Sequence, residues 1–383
     1  MVQLSELTLV KATPAQELDS CKRTFVQWSR GMTMEEYVER DKVMAQQEHC
    51  ADGKWTTWVL VPRHDPTTLN YLCSCETFRR VGAIARPEDT QARNVVSYGV
   101  ASVFTPDQNR GLGYASHMMR LLHWVLAPVD VLPPFPPAWG APPPDGPHDG
   151  QFSVLYSDVG SKFYHNCGPT PSAGSGWETV NPISTSWKVD VDDSFTKRGV
   201  DSNEWTLLTK EDACEIWEKD SWTMKDDIAS TASTTGKLAL TFLPTGGVGE
   251  FSIQRTMKFT PDLKPVLDKF WGVAHSQGDR GLPSPDAYAT WTYEPGTKTI
   301  VLTRLRACSN NFPSLVEKLR EISKSLDKDT IEAWNVPEHL REAAESAGGV
   351  TVLREEHLSA VKWYGPEEKE QLLWLFNEKF CWC

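Results

Sequence analysis

Residues 103–119 read VFTPDQNRGLGYASHMM. Upstream, 95–105 is rich in Val, with Tyr98, Phe104 and Thr105, and predicts a strand. Downstream, 114–126 carries Met118, Leu121, Leu122 and Val125 at spacings of three and four, which predicts a helix. Between them lies QNRGLG, residues 108–113. A helix N-terminus presents unpaired backbone N–H groups and a partial positive charge. Gly111 and Gly113 remove side chains that would block an approaching anion, and Asn109 and Arg110 add donors. The junction therefore suits a diphosphate. Neither G-x-G-x-x-G nor G-x-x-x-x-G-K-[ST] fits this turn, which reads [QR]-x-x-G-x-[GA].

Working outward, 5–11 predicts a first strand, 14–29 and 34–49 helices, and 58–62 and 72–85 strands. Beyond the turn, 151–157 predicts a strand, 159–166 a short helix and 184–191 a strand. The stretch PVDVLPPFPPAWGAPPPDGPHDG, 128–150, is too rich in Pro for a regular helix or a central strand. It reads either as a spacer or as a lid over a site. The chain turns polar and charged over 192–203, which marks a boundary. The same style then restarts: a strand at 204–209, a helix at 210–222, and a hairpin of 287–293 and 298–307 across EPGT. A helix at 313–325, a strand at 330–334, a helix at 337–347 and strands at 350–353 and 358–363 follow. The expected class is α/β (α+β), with two copies of one mixed-sheet unit at 1–195 and 204–383.

Composition narrows the function. The 383 residues are 40% hydrophobic with 16 Trp, enough for substantial cores. A net charge of −12 argues against general nucleic-acid binding, which needs basic patches. No apolar run approaches the ~18 residues of a membrane span. The opening MVQLSELTLVKATPAQ shows no basic stretch followed by an apolar one, so no leader is expected. Nine scattered cysteines, paired closely only as Cys73/Cys75 and Cys381/Cys383, lack zinc-site spacing and suit free thiols in the cytoplasm. His117 and His123 do not share one helix face, so no metal site is expected.

The QNRGLG turn, set between its strand and helix, resembles the acetyl-CoA pyrophosphate motif of the GCN5-related N-acetyltransferase (GNAT) superfamily. Residues 154–168, VLYSDVGSKFYHNCG, resemble the second motif of that superfamily, a strand leading into a short helix with a Tyr four residues before a Gly. The resemblance spans 7–191, and Gly168-Pro169 departs from its usual Gly-Phe. The whole chain is similar to the fungal lysine N6-acetyltransferase family, through SYGVASVFTP, RGLGYASHMM, SDVGSKFY, CETFRR at 75–80 and an added C-terminal unit. That likeness implies transfer of acetyl from acetyl-CoA to the side-chain amine of free L-lysine by direct attack in a ternary complex, the opening of a lysine degradation route. Another small amine (a polyamine, toxin or antibiotic) and a non-catalytic acyl-CoA sensor are the competing readings.

The resemblance also implies roles. Backbone N–H groups near Val103 and Phe104 would polarise the thioester carbonyl. Thr105, Gln108, Asn109, Arg110, Gly111, Leu112, Gly113, Tyr114 and Ala115 would line the cofactor, with Ser157 beside its pantetheine arm or in a turn. Tyr164 would be the general acid, since a phenol keeps its proton at neutral pH. Glu76 is a candidate base or ammonium site, against an ion pair with Arg79 or Arg80. Asp158 is a second candidate, against a helix N-cap. The terminal carboxylate of Cys383 is a third, by analogy with tandem relatives. The second unit has CSNNFPS, 308–314, where the glycine turn would fall, so it is expected not to bind CoA but to wall off the cleft. Arg79, Arg304 and Arg306 are options for clamping a substrate carboxylate.

Overall fold

Polar caps decide where the first two helices begin. Thr13 and Thr33 each accept a hydrogen bond from the backbone three residues on, and Gln16 and Glu36 return it, closing two capping boxes. The computed structural model describes residues 3–189, 205–259, 270–275, 287–294 and 296–383. Its first elements are β1 (Leu7–Lys11), α1 (Pro14–Trp28), α2 (Met34–Ala45), β2 (Trp55–Pro62), β3 (Cys73–Ala85) and β4 (Arg93–Phe104). Next come α3 (Tyr114–Leu126), β5 (Phe152–Ser157), α4 (Lys162–His165), β6 (Glu178–Thr179) and β7 (Ile183–Lys188). The expected boundary at 192–203 lies outside the described residues, as does Pro295 of the EPGT turn.

The remaining elements are β8 (Trp205–Leu208), α5 (Lys210–Thr235), β9 (Leu238–Phe242), α6 (Glu250–Phe259), β10 (Gly272–His275), β11 (Ala287–Tyr293) and β12 (Thr299–Arg306). They end with α7 (Phe312–Ser325), β13 (Thr330–Trp334), α8 (Arg341–Ser346), β14 (Val350–Leu353), β15 (Leu358–Trp363) and β16 (Leu372–Trp374). A capping box at Thr209 and Asp212 starts α5, and Gly236 in the left-handed region ends it. That helix runs well past the expected 210–222, because Met224, Ile228 and Ala232 continue its buried stripe. The sequence pattern does not mark β9, α6, β10 or β16.

Two mixed sheets flanked by helices result, as the sequence predicts. The first runs β1-β2-β3-β4-β5-β15-β6, and β9 joins both β3 and β16. The second runs β14-β7-β13-β12-β11-β10-β8. Their strands do not divide as 1–195 and 204–383. Instead β7 lies between β14 and β13, while β9, β15 and β16 complete the first sheet. The reason is edge closure. β15 pairs antiparallel with β5 along its whole length, from Leu358↔Ser157 to Trp363↔Phe152, covering backbone groups that would otherwise stand open.

The Pro-rich segment 128–150 is neither spacer nor lid. It is strapped to the outer side of α3: Phe135 packs edge-on to Trp124 at 4.8 Å, and buried Trp139 packs edge-on to His117 at 5.7 Å. Arg63 donates to the carbonyls of Trp139 and Ala141, and Asp149 accepts from the Tyr98 hydroxyl at 2.6 Å. None of its residues lines the main cavity.

Candidate active site

β4 and β5 run parallel and in register from Ser97↔Phe152 to Val100↔Leu155, then part. On the other edge of β4, the register against β3 shifts between Ser74↔Phe104 and Glu76↔Ala101, leaving Ser102 and Val103 without partners. Ser102 takes φ 51°, an uncommon conformation for a residue with a side chain. A bulge of this kind bends its strand and re-aims the neighbouring side chains. A cavity of about 720 Å³ opens where the strands part.

The glycine turn stands at one side of this opening. Gly111 and Gly113 have φ of 74° and 84°, the left-handed region that favours glycine, and a Cβ at either would meet nothing within 4 Å. Gly113 is the N-cap of α3, and no side chain caps that terminus. The first N–H groups of a 13-residue helix are therefore left for a ligand. Thr105, Arg110 and Ala115 line the cavity beside them. This open cradle fits a pyrophosphate.

Glu76, Tyr164 and Asp158, the acid–base candidates, face the same space. Glu76, on β3, is half-buried on the cavity wall. Burial, with help from the Asp41 carboxylate, pushes its pKa up to about 7, although Ser102 and Arg40 pull the other way. Tyr164, on α4, is buried against Phe163 and Trp177, and burial pushes its phenol well above the usual range, so it keeps its proton. Asp158 is held by His357, which donates its backbone N–H at 2.7 Å and shares a 3.0 Å ring contact. Burial raises the Asp158 pKa, but these His357 contacts outweigh it and the net shift is downward. A carboxyl poised near neutrality and a protonated phenol on one cavity can take and give a proton at opposite ends of a reaction.

The family model described as the LYC1 GNAT-like C-terminal domain matches residues 190–383, just over half the chain. The chain belongs to this LYC1 GNAT-like family. A lysine acetyltransferase of Yarrowia lipolytica (strain CLIB 122 / E 150) is 24% identical over 205 residues, covering 52% of this chain and 46% of that protein. The match thus spans less than half of that relative's length. A conserved protein of unknown function from Enterococcus faecalis V583, described as a probable N-acyltransferase, superposes with a TM-score of 0.56 at 10% identity, over 94% of this chain and 73% of that one. A GCN5-related N-acetyltransferase from Anabaena variabilis ATCC 29413 gives 0.53 at 13% identity, over 94% and 73%. At these identities the likeness shows a shared GNAT fold.

Within that GNAT fold several expected residues have other tasks. Ser157 accepts from the Val159 N–H and donates to the Gly160 carbonyl at 2.7 Å, so its hydroxyl builds a turn and is not left for a pantetheine arm. Asn109 donates its amide to the Leu72 carbonyl at 2.9 Å, which pins the turn to the start of β3. Arg110 is tied to Asp107 at 2.8 Å and to the Thr105 carbonyl, yet remains half-exposed at the cavity. Gln108 is exposed, and the Tyr114 and Leu112 side chains pack into the core under α3, so any contact from them is by backbone. Phe104 is buried, and it returns to register opposite Ser74 while Val103 stays out of the ladder. Asp158 is not the N-cap of α4, a position taken by Ser161.

None of the three arginines put forward for a carboxylate is available. Arg79 is paired with Asp149 at 3.1 Å. Arg304, 1% exposed, is locked between Asp220 and Glu378, and Arg306 is held by Asp220 and Asp227. Among the described residues no three His, Cys, Asp or Glu side chains are grouped to hold a metal. His123 contacts Tyr364 and the Cys167 carbonyl and stacks on Trp177 at 4.3 Å.

Sequence reasoning missed Tyr37, Arg40 and Asp41 of the first half and His357, Arg255 and Trp382 of the second, and it put Cys383 forward only for its terminal carboxylate. His357, Arg255, Trp382 and Cys383 all line the cavity. The tail reaches it because buried Arg80 donates to the carbonyls of Cys381 and Trp382. Gly99 makes room for it: a Cβ there would stand 2.7 Å from Cys383 Sγ. No local motif signals these residues: strand exchange brings His357 to the site, α6 brings Arg255, and the Arg80 contacts bring the tail.

Proposed function

We propose that the chain is an N-acetyltransferase that transfers acetyl from acetyl-CoA to the side-chain amine of free L-lysine. One observation carries the reading. A single cavity joins the uncapped glycine start of α3 to Glu76 and Tyr164. The match to a lysine acetyltransferase supports the choice of amine. A cytoplasmic setting and a role in lysine degradation belong to the same proposal.

In this reading the α3 terminus holds the pyrophosphate, and the backbone freed at Val103 donates to the carbonyl oxygen as negative charge develops there. The neutral amine forms a C–N bond at the carbonyl carbon. Glu76, directly or through water, takes the proton that the amine loses. The C–S bond breaks, and Tyr164 gives its proton to the departing sulfur. The products are the acetylated amine and free CoA, and the Glu76 proton returns to Tyr164 through solvent.

Acetyl-CoA consumption over a panel of L-lysine, polyamines and aminoglycosides tests the proposal. Lysine is expected to be turned over best, and Tyr164→Phe to lower kcat by about 10²-fold. Binding of CoA with no turnover of any amine would mark a sensor. Gly111→Glu tests the cofactor site separately. A side chain in the left-handed region costs ~1–2 kcal/mol, and its charge opposes the helix terminus. Acetyl-CoA is expected to bind at least about tenfold more weakly by calorimetry, and an unchanged Kd would refute the cradle.

A further inference from the structure

The cavity ends in a positively charged corner that the proposed chemistry does not use. Arg255, on α6, and Trp382, on the tail, line both the main cavity and an adjoining recess of about 60 Å³. Arg30, Arg40 and Lys379 line the recess too, with Glu294 the one carboxylate among its lining residues. Two of these cations are already matched, Arg30 by Glu294 at 3.4 Å and Arg40 by Asp41 at 2.7 Å. The other two are not. Arg255 is half-buried and lies over the Trp382 ring at 4.7 Å. Lys379 is 3% exposed, with Nζ at 4.0 Å from the Trp382 ring centroid and 4.4 Å from that of Trp334. Neither has an anionic partner within salt-bridge distance among the described residues.

A cation held out of water by ring contacts alone is costly, because π-faces return only part of its hydration. Arg255 and Lys379 lie near the same ring, and the guanidinium disfavours the ammonium charge. Burial, with Arg255 and Arg354 nearby, lowers the Lys379 pKa to about 8 against the pull of Glu294 and Glu332. Burial likewise lowers that of Arg255 to about 10, with Arg30 and Arg40 adding to it against the pull of Glu294. Both remain charged at neutral pH. An anion entering the recess would meet a guanidinium, whose fork suits a planar carboxylate, and an ammonium beside it.

We propose that Arg255 and Lys379, packed on Trp382, bind the α-carboxylate of the amine substrate and so select an amino acid over a simple polyamine. This rests on the acetyltransferase reading and sharpens it. The carboxylate sits in the corner, and the side chain extends through the shared cavity towards Glu76 and Tyr164. A polyamine or an aminoglycoside brings only positive charge to the corner and is repelled there. The C-terminal half thereby supplies substrate selection, while the glycine turn and acid–base groups come from the first half.

Cadaverine, which is L-lysine without its carboxylate, provides the test. The ratio of kcat/KM for L-lysine to that for cadaverine is expected to fall about 100-fold in Arg255→Met, through the KM of lysine, as expected for removing a charged partner. Lys379→Met is expected to move it the same way, and Arg255→Lys to keep most of it. If Arg255→Met does not fold, Arg255→Gln carries the same measurement. An unchanged ratio in both Met variants overturns the assignment. So does a rise confined to the KM of acetyl-CoA, which would place the corner on the cofactor. Should the wild type turn over no amine, the acetyltransferase reading fails, and the corner is then judged by binding. Calorimetry on the full chain is expected to show N6-acetyl-L-lysine binding at least tenfold more tightly than N-acetylcadaverine, and equal affinities overturn the clamp.

Discussion

Glu76→Gln is expected to lower kcat/KM for lysine by about 10²–10⁴-fold, the usual contribution of a positioned general base. The pH profile identifies the cause. With its pKa raised to about 7, Glu76 is protonated and inactive below neutrality and ionised above it. The wild-type profile should therefore climb steeply to about pH 7, and then more gently as the substrate ammonium, with a pKa of ~10.4, loses its proton. In the Gln variant the break near 7 disappears and only the gentle slope remains. Stability moves the opposite way. A carboxyl whose pKa rises on folding from 4.5 to about 7 favours the folded state fully below 4.5 and loses that contribution as pH rises through 7. At pH 8 the ionised Glu76 opposes folding, so the Gln variant should melt higher than wild type there. A variant that loses activity but keeps the break at 7 would move the base to another group; Asp158, held below its ordinary range by His357, would not give that break.

Arg304→Met is expected to destabilise the protein by ~3–5 kcal/mol, the cost of leaving buried charges without their partner. Arg304 Nε meets Asp220 at 2.8 Å, and its other end meets Glu378. All three side chains are almost fully buried, and the Tyr288 hydroxyl donates to the same Asp220. Burial raises the Asp220 pKa, but Arg304 and Arg306 outweigh it, so the carboxyl is held below its ordinary range. The network does more than hold the second sheet together. Glu378 also accepts from the Leu305 N–H at 2.7 Å, which fixes the start of the tail that carries Trp382 and Cys383 to the cavity and Lys379 to the adjoining recess. Denaturant unfolding should show the loss of stability. A restoring triple variant, Arg304→Met with Glu378→Gln and Asp220→Asn, should recover part of it by removing the orphaned charges. A change of less than 1 kcal/mol in Arg304→Met would show that the pairs contribute little.

Local chemistry made much of the first unit legible. The α3 bounds, the β5 and α4 placement and the position of Tyr164 follow from periodicity around QNRGLG and from the Gly and Pro that punctuate it. Glu76 was readable as a candidate because it is the one carboxylate of β3, a long strand of mixed polar and apolar residues. Topology was not readable in the same way. Nothing in LSAVKW says that β15 will pair with β5 and not with a strand of its own half. That choice depends on an open edge hundreds of residues away, and it delivers His357 to Asp158. The arginines were misjudged for a similar reason. Arg304 and Arg306 look like free cations on a strand, yet α5 and the tail neutralise them in three dimensions. Arg255 sits on α6, a helix whose sequence, EFSIQRTMKF, has too mixed a pattern to stand out. Side chains of the turn were over-assigned, because a motif fixes backbone geometry first. Asn109 and Ser157 act on that geometry through hydrogen bonds to Leu72 and Gly160.

The most direct test of the central claim is the identity of the product formed when the chain is incubated with acetyl-CoA and L-lysine. Mass spectrometry and NMR should show one acetyl group on the side-chain nitrogen and one equivalent of free CoA per acetylated lysine. Acetylation at the α-nitrogen, or CoA release with no acetylated lysine, would contradict an account in which the α-carboxylate end is held at Arg255 and the side-chain amine reaches Glu76.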